Sequence, residues 1–441
     1  MNRRGFLRLG AKTGIGVATM PLWMRLAGMN AYAQSASGYK AIVCITLLGG
    51  NDGNNVIVPL DAATYKQYAT LRQSLAIPQA SLLPVQAAGS SATYGFHPNL
   101  PNISSLFKKG YASVVANCGP MDQPLTKQAI TDNPNLLPAL FGSHPVSIAQ
   151  WESATTESSP ATGWGGRIAD QVMGSSGLLP PVLSVSGVST FTIGADAQSV
   201  AIMQAAAGGL PLPSTLAQPA EDIAAIDAGS NNELIQRAAQ LRSTTLQLEG
   251  ILSQSQQAGA TLQTVFPTSN LGQNLQSIAQ VINGRSVVGA SRQLFYASVG
   301  NYDTHGGQMQ MHSDLLTDLD NSIAALVAAL QEMNLLQNVL IITLSDFGRT
   351  MQSNSNAGSD HGWGNHQFVI GGGLAGQRII GSLPDFDIGG SQDWTGQGVW
   401  IPAIASQQVA GSVASWFGLN SSQIAGIFPN LAAFANSPIT L

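Results

Sequence analysis

Carboxylates and imidazoles recur in this chain inside short, glycine-rich, loop-like stretches. Asp52 lies in Gly49-Gly-Asn-Asp-Gly-Asn-Asn55, and Asp303 and His305 lie in Asn301-Tyr-Asp-Thr-His-Gly-Gly-Gln308. Asp346 lies in Ser345-Asp-Phe-Gly-Arg-Thr350, and His361 in Asp360-His-Gly-Trp-Gly-Asn-His366. Each of these residues taken singly also reads as a hydrogen-bonded loop residue. As a set, Asp52, Asp303, His305, Asp346 and His361 point to metal ligation, because mixed carboxylate and imidazole donors suit Zn²⁺, Mn²⁺ or a related divalent ion. The Asp303–His305 step can supply two ligands to one ion, or one ligand and its orienting partner. Among the other histidines, His97, His144 and His366 are also in loop-like sequence, whereas His312 opens an amphipathic helix.

Ser143-His144 precedes a helical stretch that carries Trp151 and Glu152. A serine at a helix start is ordinarily a cap. The same place suits a nucleophile, since backbone N–H groups there stabilise an incoming anion and a metal lowers a hydroxyl pKa. Arg167 and Arg349 are candidates to clamp phosphate or sulfate oxygens, with structural salt bridges as the other reading. Gly371–Gly373 lacks the Lys-Ser/Thr that a phosphate-binding loop requires.

The elements that must position these groups alternate between strand and helix. Ala41–Leu48 is a continuous apolar run rich in β-branched residues, as in a parallel strand buried on both faces. Ala112–Asn117, Pro180–Val185, Leu294–Val299, Asn338–Leu344 and Gln367–Ile370 read as further strands. Helices are expected near Asn102–Lys109, Ser143–Ala154 and Ser313–Met333. This order predicts an α/β fold, a mostly parallel sheet sandwiched by helices. A Gln-, Ala- and Ser-rich helical insertion is expected around 200–290, including Asn232–Ser255 and Leu271–Ile282. Asp52, Asp303 with His305, and Asp346 each follow a strand. The carboxyl ends of parallel strands share one edge, where ligands bind, so groups about 300 residues apart can meet. Cys44 and Cys118 fall in strand-like runs of one sheet and read as two buried free thiols, a disulfide being the alternative.

The amino terminus reads as an export signal. Arg3-Arg4 precedes Phe6-Leu7, a modestly apolar stretch runs to about Leu26, and Ala31-Tyr-Ala33 offers a cleavage site. Residues 1–33 are therefore expected to be a twin-arginine signal peptide and residues 34–441 one α/β domain, periplasmic or secreted. Cleavage removes Arg3, Arg4, Arg8, Lys12 and Arg25 and no acids, taking the net charge from −5 to −10. An acidic surface argues against nucleic acid as the partner. Lys12, Pro21 and Arg25 interrupt the apolar stretch, so no stable membrane span is expected after cleavage.

The ordered pieces carry a resemblance. They are Leu48-Gly-Gly-Asn-Asp-Gly-Asn-Asn55, Phe96-His-Pro98, Ser143-His144 with Trp151-Glu152, Gly163-Trp-Gly-Gly-Arg167 and Tyr302-Asp-Thr-His-Gly-Gly-Gln308. Ser345-Asp-Phe-Gly-Arg-Thr350 and Asp360-His-Gly-Trp-Gly-Asn-His366, leading into Gly371-Gly-Gly373, complete the set. Together they resemble the domain-of-unknown-function 1501 family, exported proteins placed with the alkaline phosphatase and sulfatase superfamily. The resemblance implies an alkaline phosphatase/sulfatase-like fold and hydrolysis of phosphate or sulfate esters, small-molecule or polymeric. It implies one or two divalent ions (Zn, Mn, Mg or Ca) and passage through the twin-arginine translocase. Carried over by position, Ser143 is the nucleophile and Asp52 the first-strand metal ligand. Asp303 and His305 serve one metal, Asp346 serves the other, and His361 is the late histidine ligand. Two departures stand out: Phe347 follows Asp346 where the superfamily often has histidine, and Asp303 and His305 are unusually close. They keep open a second reading, an exported binding or assembly protein with a degenerate metal site, and leave His144, Asp360 and His366 as spare donors.

Overall fold

The computed structural model describes residues 38–173, 177–197, 199–201 and 250–435, with isolated positions 235, 248 and 439. The expected signal peptide and most of the expected helix Asn232–Ser255 lie outside these residues. Twelve strands are numbered β1 to β12 in chain order. Nine of them form one sheet: β1 (Lys40–Leu47), β5 (Ala112–Gly119), β6 (Val182–Ser184), β7 (Ser199–Ala201), β8 (Arg292–Val299), β9 (Val339–Ser345), β10 (Asn365–Gly371), β11 (Ile379–Ile380) and β12 (Ile404–Ala405). The path runs β11-β5-β10-β9-β1-β8-β6-β7, with β12 also on β5. A separate three-stranded sheet of β2 (Ile57–Pro59), β3 (Leu83–Gln86) and β4 (Thr93–Phe96) was not evident in the sequence, because strands this short carry little periodic signal.

The central strand β1 pairs in parallel with both β8 and β9. Its side chains divide by parity, as strand geometry requires. Ala41, Val43, Ile45 and Leu47 face one core, and Ile42 and Cys44 face the other. The first core is covered by α2 (Pro101–Lys108), α5 (Asn270–Asn283) and α6 (Gln308–Glu332). The second is covered by α3 (His144–Ser153), α4 (Trp164–Val172) and α7 (Ser406–Phe417). A further helix, α1 (Ala62–Arg72), follows β2. Burial on both faces explains the uninterrupted apolar runs of the middle strands.

One strand departs from the expected direction. β10 is antiparallel to both neighbours, β9 and β5, so its first residues, not its last, reach the carboxyl edge of the others. Cys44 and Cys118 are both buried and free. They share the sheet but sit on β1 and β5, with β9 and β10 between them. Helix α6 begins at Gln308, earlier than the expected Ser313, because Gly307 takes a left-handed φ of 57° and turns the chain into it. Among the described residues, no helix is long and apolar enough to cross a membrane.

Candidate metal centre at the carboxyl edge

Four chain segments converge where β1, β8 and β9 end and β10 begins. The turn after β1 needs glycine. Gly49 and Gly50 have φ of 117° and 87°, and a Cβ on Gly49 would stand 2.4 Å from the Asp303 amide nitrogen. The two loops therefore touch backbone to backbone. The Gly49 amide also donates to Asp346 Oδ1 at 3.0 Å.

Asp303 is the hub. Its carboxylate lies 3.1 Å from His305 Nε2, 3.5 Å from His361 Nε2 and 3.4 Å from His144 Nε2. Each imidazole is held from behind by an oxygen on its other nitrogen. His144 Nδ1 lies 2.8 Å from Asp346 Oδ2, His305 Nδ1 lies 3.0 Å from Asp360 Oδ1, and His361 Nδ1 lies 2.8 Å from the Gly142 carbonyl. Those oxygens accept, so each Nδ1 donates. In the neutral rings this leaves Nε2 as a lone pair aimed inward. His305 Nε2 and His361 Nε2 stand 2.8 Å apart, a spacing that needs a proton or a cation between them. An oxygen that fixes the tautomer and turn of a histidine in this way is the usual companion of a metal-ligating imidazole.

The pKa shifts follow burial and neighbouring charge. Burial lowers the His361 imidazole pKa against the opposing Gly142 bond, with the nearby Arg349, His144 and His305 adding to the fall. Burial works to raise Asp303, but the hydrogen bond and charge of Arg349, with His305 and His144, hold it below the usual carboxylate range. Asp346 is raised by its burial, against the pull of His144 and the Gly49 amide. The donor atoms of His144, Asp303 and His361 all lie within 4.8 Å of one another, and these residues could hold a metal ion. Converging lone pairs on a partly open carboxylate (45% exposed) repel unless a cation or proton stands among them, so the residues fit a divalent ion.

Asp52 is placed differently. It is fully buried, and one carboxylate oxygen is engaged by the Arg72 guanidinium and by Gln308 Nε2. Arg72 is equally enclosed. Its other donors reach Asn55 Oδ1 at 3.2 Å and the Thr350 and Met351 carbonyls at 3.0 and 3.3 Å. Asp52 thus serves an internal ion pair. Arg349, expected as an anion clamp, is likewise committed. It is buried and donates to the carbonyls of Gly49, Gly50, Tyr302 and Ser359, and to Asp303 Oδ1 at 2.6 Å. Its role is to tie three loops together and to turn Asp303. Arg167 lies at the far end of α3, where it donates to Ser153 O and to Thr162 O at 2.9 Å and so caps that helix terminus.

Ser143 is the residue before α3, with backbone φ −83° and ψ 117° and no side-chain capping bond. Its neighbours on both sides belong to the cluster: Gly142 holds His361, and His144 meets Asp346 and Asp303. The backbone of Ser143 is therefore bracketed beside the donors. Expected residues that meet here are Asp303, His305, Asp346, His361 and His144. Asp360, expected as a spare donor, joins them through His305. Arg72 and Gln308 carried no signal in the sequence.

The fold and site define an α/β protein with an imidazole-rich carboxylate cluster at the carboxyl edge of a mostly parallel sheet. The chain belongs to the family described as "Protein of unknown function (DUF1501)", whose model matches residues 39–393. No curated protein matches the chain. Several solved structures overlap it at low identity. The PsFucS1 sulfatase from Pseudoalteromonas sp. is 15% identical over 83% of this chain and 68% of that one, with a TM-score of 0.32. Ps i-CgsB is 11% identical over 87% and 74%, with a TM-score of 0.33. The lipoteichoic acid synthase LtaP from Listeria monocytogenes is 8% identical over 90% and 78%, also at 0.33. TM-scores near one third do not by themselves establish a common fold or activity.

Proposed function

We propose that this chain is an exported, metal-dependent hydrolase of phosphate or sulfate esters, with Ser143 as its nucleophile. The observation that carries the reading is the set of three histidines, each gripped at Nδ1 by an oxygen and each turning Nε2 toward Asp303, with Ser143 between two of the contacts. Asp303, His144 and His361 would hold the ion, with His305 beside them, and Asp346, Asp360 and the Gly142 carbonyl orient the rings. A donor set this rich in imidazole favours Zn²⁺ over Mn²⁺, Mg²⁺ or Ca²⁺. When bound, such an ion lowers the pKa of a nearby hydroxyl and neutralises charge on ester oxygens.

The chain's own groups do the rest. The start of α3 presents the positive end of a helix dipole to an incoming anion. Ser143 Oγ gives up its proton to solvent and attacks in line at phosphorus or sulfur, and the bond to the ester oxygen breaks as the new bond forms. The departing alkoxide takes a proton from solvent at the open rim, where His305 is 42% exposed and held by Asp360. Water then cleaves the serine ester to release phosphate or sulfate and restore Ser143. Arg349 stays behind Asp303 and keeps the loops in register.

The test uses full-length protein purified from its own host. Expected are bound divalent metal and turnover of at least one among aryl phosphates, phosphodiesters and aryl sulfates. Ser143→Ala is expected to keep the metal and lose turnover. A folded protein with neither metal nor turnover would sink the proposal. One observation favours the binding-protein alternative: Asp52 and Arg349, two groups expected to act on substrate or metal, are committed inside the protein. An Asp346→Ala, His305→Ala double variant that folds and keeps full cellular function would decide for that alternative.

A further inference from the structure

From the fixed pairing of Asp52 with Arg72 we infer that the centre takes one divalent ion per chain, because Asp52 already carries its cation within the protein. This deepens the reading above and rests on it. The two places are physically linked. Asp52 accepts from Gln308 Nε2, Gln308 Oε1 accepts from Ser359 Oγ at 2.5 Å, the Ser359 carbonyl accepts from Arg349 at 3.0 Å, and Arg349 donates to Asp303 at 2.6 Å. One run of hydrogen bonds thus ends in a guanidinium–carboxylate pair on one side and in the imidazole cluster on the other.

Three observations keep a second ion away from Asp52. Arg72 has no exposed side-chain surface and is held by carbonyls of Thr350 and Met351 as well as by Asp52, so it cannot swing out to make room. A divalent ion would then stand beside a fixed positive charge in a medium that screens poorly. The other oxygen, Asp52 Oδ1, has no protein hydrogen-bond partner, which invites a ligand. Yet among the described residues the only group of three or more potential metal donors is His144, Asp303 and His361, so Oδ1 does not belong to a set of three. Site selection requires several donors in one shell.

The experiment is a metal count on the intact chain. Protein is saturated with Zn²⁺ or, separately, Mn²⁺, freed of excess, and analysed for metal per chain, with thermal denaturation followed with and without the ion. One ion per chain is expected. Asp52→Asn is expected to retain that ion and its Tm increment, whereas Asp303→Asn loses both. Two ions per chain overturn the inference while leaving the hydrolase reading intact. Loss of the single ion in a folded Asp52→Asn variant also overturns it. If Asp52→Asn does not fold, the count on the unaltered protein still decides. A count of zero overturns the hydrolase reading and this inference together, a result distinct from a count of two.

Discussion

Asp52 and Asp303 each follow a central strand of the same sheet, and each meets a buried arginine, yet their surroundings differ in most other respects. Around Asp52 everything is enclosed. His97, His312 and His366 are buried, and desolvation takes their pKa values down to about 3, 3 and 4. Around Asp303 the histidines and the carboxylate itself are a quarter to nearly half exposed, only Asp346 at 4% and the Arg349 guanidinium being buried, and three rings point at one carboxylate. The same residue types, acid and histidine, form a finished internal framework in one place and an open ligand set in the other. Residue type alone therefore does not mark a site. What marks it is whether the charges are already satisfied.

The largest expected break of this contrast is Arg72→Met. It strands the Asp52 carboxylate, and removing one partner of a buried pair typically destabilises by about 3–5 kcal/mol. Urea denaturation of Arg72→Met should show a loss of that order, and the Arg72→Met, Asp52→Asn double variant should recover part of it. No recovery would mean that Arg72 acts through packing and its carbonyl bonds instead.

A smaller effect is expected on the open side. Asp346→Asn or Asp360→Asn alters the oxygen behind a histidine without removing any inward donor. Metal affinity should fall by roughly 10–100-fold, as such outer partners usually contribute. Competition with a metal-binding dye would read it, and an affinity unchanged in both variants would show that the rings need no such anchor.

The third prediction separates the regions by pH. His97, His312 and His366 stay neutral in the fold but take a proton on unfolding below a pKa of about 6.5. Their folded pKa values are depressed, so the unfolded state binds more protons as pH falls, and stability is lost on acidification. Each contributes about 1 kcal/mol of loss between pH 6.5 and 5.5. His312→Asn, which can keep a contact to Asn51, should flatten the stability profile below pH 6.5 by about one histidine's share. An unchanged slope would mean that His312 is protonated in the fold. The smallest effect belongs to Arg167→Lys at the far end of α3, expected to cost about 1 kcal/mol or less in stability and to leave metal binding untouched.

Much of the open cluster was legible in the sequence, because Asp303, His305 and Asp346 stand in polar loops at the ends of apolar strands, His361 stands in a polar loop before one, and His144 stands beside Ser143 at a helix start. The enclosed framework was not. Arg72 closes a helix, Ala62–Arg72, whose polar composition gives no hint that its last side chain points inward, and Gln308 reads as an ordinary surface glutamine. Asp52 and Arg349 were visible as polar groups, but their partners come from segments up to about 300 residues distant, and only tertiary structure pairs them. The direction of β10 was hidden for a related reason. A strand of buried apolar residues reads the same in both senses, and its sense decides which end faces the cluster.

The register of β1 has a consequence for biogenesis. This first strand has no neighbours in the sheet until β8 and β9 are synthesised about 250 to 300 residues later. At a translation rate of about 5–20 residues per second, it waits on the order of 15–60 s with both edges unpaired. Anything attached ahead of β1 thus leaves the ribosome long before the body behind it can close. A leader read too early would thread an open chain through the membrane, and the ligand set would have to assemble on the other side.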